Sequence, residues 1–312
     1  MLLRTEHLTK DYGRFRALDD LGFSVRAGEV FGLLGPNGSG KTTALRILLG
    51  FLQPTAGNAW IAGHDCWHDS IAARRHVAYL PGELRLYENM TGRQLVRFLG
   101  QLRGQQVASV VPRSPDRGTV GRPCHNGGDS EVDSLADRLD IDLDRPIAQL
   151  SSGMKRKVAL LQVLVPRAPL LILDEPTNTL DPTMRDELLA QLREARNQGQ
   201  TVLFSSHVLT EVEQVCDRVA ILQRGRLAHL QEMAALQQSR LIRARLAPHA
   251  AECSPDLPGL QLRERCQDQV TLEYTGPLAP LLGWLARQLL ADLRLEPLGL
   301  AAIYHRFHGT KA

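Results

Sequence analysis

The feature that most constrains this chain is a glycine-rich octet between an apolar run and a helical pattern. Residues 35–42 read Gly-Pro-Asn-Gly-Ser-Gly-Lys-Thr, which fits the pattern G-x-x-x-x-G-K-[ST]. The apolar run Val30–Leu34 precedes the octet and is typical of a buried strand. From Thr42 the apolar residues recur with helical spacing until Gly50. The sequence therefore predicts a strand, a tight loop and a helix in direct succession.

A loop of this kind is suited to hold a phosphate. Its glycines let backbone N–H groups wrap around the anion, and the helix N-terminus adds the positive end of its dipole. We expect Lys41 to reach the β- and γ-phosphates of a nucleoside triphosphate and the Thr42 hydroxyl to bind Mg²⁺. The alternative, a glycine-rich turn that merely caps a helix, is disfavoured by the strand and the helix on either side.

A second apolar run, Leu170–Leu173, ends in the acidic pair Asp174 and Glu175. Acids at the carboxyl end of a parallel strand lie on the ligand edge of the sheet. Asp174 is placed to hold Mg²⁺, directly or through water, and Glu175 to orient and deprotonate an attacking water. Exposed acids at strand ends are common, so the pair gains its weight from the phosphate loop in the same chain. Together the two motifs predict a nucleoside-triphosphate hydrolase.

The remaining periodic segments indicate an α/β fold. Leu2–Leu8 reads as a short strand, Thr201–Phe204 and Val219–Leu222 as buried strands, and Pro182–Gln198 as a helix. Buried strands that alternate with helices predict a mostly parallel sheet.

With 312 residues, the chain is long enough for two or three domains. We assign residues 1–230 to the α/β domain and residues 91–166 within it to an inserted helical subdomain. Residues 104–130 are rich in glycine, proline and serine and poor in large apolar side chains, so they are predicted to form a flexible insertion. Residues 231–312 are predicted to form a small α+β appendage, with Leu281–Leu293 as an amphipathic helix.

Composition and cysteine spacing argue against several classes of protein. The five cysteines are scattered without a C-x-x-C pair, which disfavours a zinc site or a disulfide framework and favours the reducing cytosol. No stretch approaches the roughly 18 consecutive apolar residues of a membrane-spanning helix, and the polar start indicates no secretory signal peptide. A formal net charge of +3 is too small to suggest a nucleic-acid partner by itself.

A third motif, Leu-Ser-Ser-Gly-Met at residues 150–154, precedes the acidic strand. Ser151 or Ser152 can cap the helix that follows, and the N-terminus of that helix is a second anion site. The sequence Lys-Arg-Lys at residues 155–157 is expected to add positive charge nearby. An ordinary capped amphipathic helix is the alternative interpretation of the same residues.

In this order and wording, the motifs resemble the ATPase subunit of an ATP-binding-cassette (ABC) transporter over roughly residues 2–230, and most of all the drug- or antibiotic-export type. The resemblance implies a P-loop ATPase fold, namely a parallel-sheet core with the helical subdomain and C-terminal appendage described above. It also implies ATP and Mg²⁺ as cofactors. A head-to-tail homodimer follows from it, in which the signature sequence at residues 150–154 of one subunit binds the γ-phosphate of ATP held by the other.

The resemblance carries over to individual residues. His207 matches the switch histidine that contacts the γ-phosphate, although a structural histidine at a strand end is the alternative. Asp181 matches the loop that links the two ATP sites, and it can also begin the helix with Pro182 in its first position. Tyr12 matches the aromatic residue that stacks on adenine, with an ordinary surface tyrosine in a turn as the alternative.

The expected site therefore has five parts. The catalytic residues are Glu175 and His207. The ATP-binding residues are Tyr12, Gly35, Pro36, Asn37, Gly38, Ser39, Gly40, Lys41, Thr42 and Thr43. The signature residues are Ser151, Ser152, Gly153 and Met154, and the linking loop contains Asp181. The candidate Mg²⁺ ligands are Thr42, Asp174 and, through water, Glu83.

The loop Tyr79–Glu83 departs from the family pattern. Where the family usually has a glutamine that contacts Mg²⁺ and senses the γ-phosphate, this chain has Gly82, which cannot do either. Glu83, one residue on, is the candidate to bind through water. The departure is expected to affect how nucleotide state is relayed to the permease and to leave ATP binding intact.

Two functions from different classes fit these features. The first is the ATPase engine of a membrane exporter of drugs or other small molecules, peripheral to the cytoplasmic face of the membrane and paired with a separate transmembrane permease. The alternative is a soluble ABC ATPase that acts on ribosomes or nucleic acid. Such proteins usually carry two cassettes, long coiled coils or basic tails, and this sequence has none of these, so no direct nucleic-acid contact is expected. A small-molecule kinase would leave the signature, His207 and Asp181 unexplained.

Overall fold

A computed structural model of the chain describes residues 1–102, 127–246, 256–288 and 290–308. Three β-sheets organise these residues: an antiparallel sheet at the N-terminus, a six-stranded central sheet, and an antiparallel sheet near the C-terminus. None of the helices in the described ranges is both long and apolar enough to span a membrane.

The first 80 residues build the antiparallel sheet and begin the central one. Their elements are β1 (Leu3–Tyr12), β2 (Phe15–Val25), β3 (Val30–Leu34), α1 (Lys41–Leu48), β4 (Ala56–Ile61), β5 (His64–Asp65), α2 (Ser70–Arg75) and β6 (Val77–Leu80). In the antiparallel sheet β1 lies between β2 and β4, with Leu3 opposite Val25 on one side and Ile61 on the other. The predicted strand Leu2–Leu8 is therefore longer than expected and forms a hairpin with β2.

Helices fill the described part of the predicted helical subdomain. They are α3 (Gly92–Leu102), α4 (Gly127–Arg138) and α5 (Ser152–Leu164), with a short 3₁₀ turn at Ile147–Gln149. The flexible insertion predicted at 104–130 lies outside the described residues up to residue 126, and its last four residues begin α4. The limits of the subdomain stay predictions.

The central sheet is completed by the next segment of the chain. Its elements are β7 (Leu170–Asp174), α6 (Pro182–Asn197), β8 (Thr201–Ser206), α7 (Leu209–Val215), β9 (Arg218–Gln223) and β10 (Arg226–Glu232). The strand order is β10-β9-β3-β8-β7-β6, and every neighbouring pair except β10 with β9 is parallel. The prediction of a mostly parallel sheet is confirmed.

Both faces of the central sheet are covered, which explains why its strands read as continuous apolar runs. On one face Phe31 and Leu33 pack with Leu45 and Leu48 of α1 and with the N-terminal sheet. On the other face Val30 and Leu34 pack with helices α5, α6 and α7. Burial of each such large apolar side chain is worth about 1.5–3 kcal/mol. The carboxyl ends of β3, β8 and β7 are thereby held side by side.

The C-terminal segment forms the third sheet and then returns to the α/β domain. Its elements are α8 (Met233–Gln237), β11 (Ser239–Leu246), β12 (Leu260–Cys266), β13 (Gln269–Thr275), α9 (Leu278–Leu285), β14 (Leu290–Pro297) and α10 (Leu300–His308). In the strand order β12-β13-β11-β14, all neighbours are antiparallel. Leu281, Trp284 and Leu285 of α9 bury the apolar face of this sheet.

The predicted helix Leu281–Leu293 is wrong in its second half. The helix ends at Leu285, and β14 begins at Leu290. Leucines at both helical and alternate spacing made the two patterns overlap in sequence. In the structure Leu293 and Leu295 lie opposite Ala244 and Ile242 of β11, which is the period of a strand.

The last helix, α10, packs on the α/β domain and not only on the appendage. Leu300 and Ile303 lie in the same core cluster as Val212 of α7. The ring of Phe307 stacks on His229 of β10 with 5.2 Å between centroids. The domain limit after residue 230 stays a prediction, and β10 crosses it.

Candidate functional site

The phosphate loop lies between β3 and α1, as the sequence predicts. Gly40 is the N-cap of α1 with φ of 106°, and a Cβ there would lie 2.7 Å from Leu18 Cδ2 and 2.9 Å from Ala17 O. Only glycine fits this backbone and this space. Among the described residues no side chain caps the first turn of α1, so its backbone N–H groups remain available to an anion.

Lys41 is buried beneath this loop. Its ammonium donates hydrogen bonds to Gly35 O at 2.7 Å and Pro36 O at 3.2 Å, and lies 3.6 Å from Glu175 Oε1. Burial lowers the pKa of Lys41, and the carboxylates of Glu175 and Asp174 partly offset that effect. The cation is thus held at the point where the loop and the acidic strand end meet.

Ser39 gives an independent sign that this loop is built for a polar ligand. Its hydroxyl is buried, yet Ser39 Oγ has no hydrogen-bond partner among the described residues. A buried hydroxyl of this kind costs about 1–3 kcal/mol unless something satisfies it. Together with the uncapped N-terminus of α1, it fits a phosphate group bound in the loop.

The candidate metal ligands meet across the sheet edge. The Thr42 hydroxyl donates to Asp174 Oδ2 at 3.2 Å, and Ser205 Oγ donates to Asp174 Oδ1 at 2.6 Å. Asp174 is 4% exposed, so its charge is poorly solvated. Hydroxyl and carboxylate oxygens are the donors that Mg²⁺ prefers, and the residues fit that ion. Bound there, Mg²⁺ would neutralise charge on the phosphate oxygens.

Glu175 lies at the centre of the edge. Its φ is 47°, a left-handed conformation that is uncommon for a residue with a side chain. The backbone N–H of Glu175 donates to Ser205 Oγ at 3.0 Å, and Glu175 Oε2 accepts a hydrogen bond of 2.6 Å from Asn178. These contacts hold the carboxylate where the strand ends instead of letting it point into solvent.

Two side-chain nitrogen atoms face the same oxygen of that carboxylate. Lys41 Nζ and His207 Nδ1 each lie 3.6 Å from Glu175 Oε1. Burial raises the pKa of Glu175, but the Asn178 hydrogen bond and the interactions with Lys41 and His207 outweigh it, so the pKa lies below its usual value. Glu175 is therefore ionised at neutral pH, the state in which a carboxylate can accept a proton.

The topology explains how His207 reaches this position. Strand β8 lies between β3 and β7, with Ser206 opposite Leu34 and Ser205 opposite Asp174. His207 follows directly and is 46% exposed at its side chain. The structure thus brings His207, Lys41 and the acidic pair together, as the sequence predicts.

The signature residues begin α5. Ser151 is its N-cap, with Ser151 Oγ accepting a hydrogen bond of 3.2 Å from Met154 N, and both Ser151 and Ser152 are exposed. A Cβ on Gly153 would lie 3.3 Å from Thr179 O, so the signature packs closely on the loop after β7. The sequence left open whether Ser151 or Ser152 caps this helix, and in the structure the cap is Ser151.

The expected positive charge beside the signature is mostly absent from the surface. Lys155 Nζ lies 2.9 Å from Glu88 Oε1, which neutralises it. Arg156 is 2% and Lys157 9% exposed. Arg156 and Lys157 therefore do not present their charges at the surface beside the signature, because helical periodicity turns residues 156 and 157 toward the core.

The other predicted residues lie at the periphery of the site. Asp181 is the N-cap of α6, with Oδ1 accepting from Met184 N at 3.0 Å, and its own surface is exposed. The Tyr12 ring is 46% exposed at the end of β1, with Lys10 Nζ 5.4 Å from its centroid. Glu83 is exposed and makes no hydrogen bond or ion pair with Thr42 or Asp174 among the described residues.

Sequence reasoning missed three residues that hold the site together: Ser205, Asn178 and Arg156. Ser205 and Asn178 contact the acidic pair directly. Ser205 could have been found, because it lies near the end of a buried strand, two residues before His207. Arg156 gave no such signal, since its partners are 18 to 75 residues away.

The strand, phosphate loop, helix and acidic strand end define the class of P-loop nucleoside triphosphatases. Within that class, the family model described as ABC transporter matches residues 18–178. The chain belongs to the ABC transporter family, and its α/β domain is an ABC-type ATPase.

Individual proteins that are similar to this chain are consistent with this family. Nod factor export ATP-binding protein I of Ralstonia nicotianae is 34% identical over 225 residues, which are 72% of this chain and 65% of that protein. Linearmycin resistance ATP-binding protein LnrL of Bacillus subtilis is 30% identical over 226 residues, 72% of this chain and 68% of that protein. A solved ATP-binding subunit of an ABC transporter superposes with a TM-score of 0.66 at 28% identity, covering 76% of this chain and 92% of that one.

Proposed function

We propose that this chain is the ATP-hydrolysing subunit of a membrane exporter of drugs or other small molecules. Two copies enclose ATP and Mg²⁺ and drive a separate transmembrane permease from the cytoplasmic face of the membrane. The observation that carries the proposal is the position of Glu175, one residue after Asp174 and 3.6 Å from both Lys41 Nζ and His207 Nδ1.

This arrangement suits hydrolysis more than binding alone. The Asp174 carboxylate would be sufficient for metal binding alone. Metal binding would not require the second acid, Glu175, which Asn178 holds on a left-handed backbone. Glu175 is ionised and can take a proton from water, while Lys41 holds charge on the phosphate side. His207 is partly exposed and faces Glu175 Oε1, so it is suited to position the water or the γ-phosphate.

The dimer is proposed from the exposed signature. The N-terminus of α5, at Ser151–Met154, is a second anion site that faces solvent, whereas Lys41 and Ser39 are buried in the first. One chain thus carries two half-sites of complementary kind. A second copy in head-to-tail orientation would supply the signature to each phosphate loop, as the family resemblance implies.

Export is proposed from the relatives, whose names refer to Nod factor export and linearmycin resistance. The permease is proposed as a separate chain because none of the described helices can span a membrane. ATP that binds the closed dimer more tightly than the open one would drive closure, and hydrolysis would reverse it.

The Glu175→Gln variant tests hydrolysis and dimerisation together. Glutamine cannot take the proton, while the phosphate loop is untouched, so the variant should accumulate as an ATP-bound dimer in ATP and Mg²⁺. Light scattering after size-exclusion chromatography measures the mass. The matched control is Lys41→Ala/Glu175→Gln, which should stay monomeric. A single variant that binds ATP and stays monomeric would contradict the enclosed-ATP dimer.

The same variant tests the membrane partner. Tagged Glu175→Gln protein, expressed in the native host and extracted in mild detergent with ATP and Mg²⁺, should retain a hydrophobic protein with about six spanning helices. The double variant should retain less of it. Recovery from the soluble fraction with ribosomes or nucleic acid would overturn the exporter assignment in favour of the alternative function.

A further inference from the structure

Arg156 is a buried cation to which the ATPase chemistry gives no role. It lies in the second turn of α5 and is 2% exposed. Burial lowers its pKa, partly offset by Asp174 and Glu175, but an arginine stays protonated at neutral pH. A buried charge costs several kcal/mol unless its donors are satisfied. The placement therefore calls for contacts that compensate it.

Five backbone carbonyls supply those contacts, and they come from two separate loops. Arg156 Nη1 donates to Pro81 O at 2.8 Å and Gly82 O at 2.9 Å, in the loop after β6. Nη2 donates to Asp174 O at 3.0 Å and Glu175 O at 2.5 Å, where β7 ends and the next loop begins. Nε donates to Pro176 O at 3.2 Å. The planar guanidinium fork spans both loops at once, which an ammonium cannot do.

Both loops carry groups of the candidate site. The Arg156 bonds end on the backbone of Glu175, which is held at a φ of 47°. The other loop passes so close to the metal ligand that a Cβ on Gly82 would lie 3.4 Å from Asp174 Oδ2. Gly82 itself has only backbone atoms with which to contact the site, and Arg156 bonds its carbonyl and that of Pro81.

We propose that Arg156 is a positioning residue. It couples α5, and with it the signature Ser151–Met154, to two backbone segments, residues 81–82 and residues 174–176. Movement of α5 toward a bound nucleotide would be transmitted by the guanidinium to Glu175 and to the Gly82 loop together. The inference deepens the proposed ATPase function and rests on it. Arg156 touches no reacting atom, so it acts through the residues that it holds.

The first test separates turnover from binding in Arg156→Lys and Arg156→Gln. Lysine keeps the charge and loses the fork, and glutamine loses both. We expect kcat to fall about 30-fold or more in each, because displacements of about 1 Å at a site can cost two orders of magnitude. ATP affinity should stay within about threefold of wild type, because the phosphate loop is not touched.

Arg218→Lys is the matched control, since Arg218 is also a buried arginine. It pairs with Glu29 at 3.1 Å and donates to Ser24 O, away from the site. Its kcat should stay within twofold of wild type below the melting transition. If Arg156→Lys lost kcat, ATP affinity and melting temperature in proportion, as a purely structural residue would, the positioning role would be overturned. Wild-type kcat in Arg156→Lys would overturn it as well.

Hydrogen exchange of the nucleotide-free protein gives a readout that does not depend on hydrolysis. In Arg156→Lys, peptides that cover residues 80–84 and 174–178 should lose protection together, while Arg218→Lys should leave them unchanged. Loss of protection in only one loop, or in neither, would overturn the coupling. Absence of ATPase activity in the wild type would instead refute the proposed function, and the exchange result would still decide the role of Arg156.

Discussion

The edge of the central sheet that carries the candidate site and the C-terminal sheet are both well packed, but they are built on different principles. At the edge, Lys41, Asp174 and Arg156 are buried charges, and Glu175 has a left-handed backbone. In the C-terminal sheet and its helix α9 the buried residues are mostly apolar, such as Ile242, Leu272 and Trp284, and charged residues lie mainly on the other face of the sheet.

This difference separates what packing explains from what it does not. Burying apolar side chains between α9 and the C-terminal sheet is sufficient reason for that sheet to form. Burial of Lys41 or Arg156 opposes folding, and the Glu175 backbone adds strain of about 1–3 kcal/mol. Such features persist where a ligand or a reaction uses them. The comparison therefore predicts large effects on ATP turnover from edge variants and small ones from the C-terminal sheet.

The largest effect is expected for Lys41→Ala. The Lys41 ammonium is proposed to reach the phosphates, and charge-assisted hydrogen bonds of this kind are worth about 1.5–3 kcal/mol each. ATP affinity should fall about 100-fold or more, and turnover with it. Isothermal titration calorimetry measures the affinity, with the surface variant Arg4→Ala as control. Unchanged ATP affinity in Lys41→Ala would remove the phosphate-loop assignment.

A smaller loss is expected for Ser205→Ala. The variant removes the donor to Asp174 Oδ1 and the acceptor of Glu175 N, so both acids lose one restraint. Turnover should fall about tenfold with ATP affinity kept, since misplacement acts on the chemical step. Steady-state ATPase assays measure it. If Ser205→Ala had wild-type kcat, the network around the acids would be dispensable.

Trp284 should affect stability and leave turnover almost unchanged. Trp284→Ala removes a side chain that is 3% exposed, which typically costs about 3–5 kcal/mol. Trp284→Phe should cost much less, because Trp284 Nε1 is buried without a partner among the described residues and phenylalanine lacks that donor. Thermal melts give the stability and ATPase assays below the transition give the turnover. A large loss of kcat in Trp284→Phe would show that the C-terminal region contributes to ATP turnover, against this prediction.

The smallest effect is expected for Glu273→Gln in β13. Glu273 Oε2 lies 2.8 Å from Arg263 Nε and 2.5 Å from Arg306 Nη2 of α10. Burial raises the pKa of Glu273, but the two arginines outweigh it and the pKa lies below its usual value. The Glu273 carboxylate therefore adds about 1 kcal/mol to the free energy of unfolding at pH values above its pKa in the unfolded state. This contribution is lost as the pH falls through the lower pKa of the folded state.

The difference in unfolding free energy between wild type and Glu273→Gln should accordingly be largest near neutral pH and vanish in acid. Urea titrations at several pH values measure it. ATP turnover at neutral pH should not change. A difference that grew as the pH fell would show that folding raises the pKa of Glu273 instead of lowering it.

The edge could be predicted from sequence where its parts are contiguous. Residues 35–42 and the Asp174-Glu175 pair each combine an apolar strand with its ligand residues in one short window, and topology does the rest. Arg156 could not be predicted, because its role depends on Pro81 and Gly82, which fold against it from 75 residues away. An amphipathic helix was one of two interpretations of the residues that form α5, and it did not indicate that a charge would lie on the buried side.

The C-terminal sheet was harder to predict. Leu281–Leu293 reads as one helix because its leucines satisfy two periods, and the choice between them is made by pairing with β11. The hairpin of β1 with β2 was missed for a related reason, since register in an antiparallel sheet is fixed by partners distant in sequence. Local patterns thus predict the parallel core better than the antiparallel sheets.

The measurement that tests the account most directly is the separation of ATP binding from hydrolysis in Glu175→Gln. Its ATP affinity and kcat are measured beside Glu6→Gln, the same substitution at an exposed residue of β1. If Glu175 is the base, the ATP affinity of Glu175→Gln should stay within about threefold of wild type and its kcat should fall at least about 100-fold, with the control unchanged on both. A Glu175→Gln variant that hydrolyses ATP at more than about a tenth of the wild-type rate would contradict this role of Glu175.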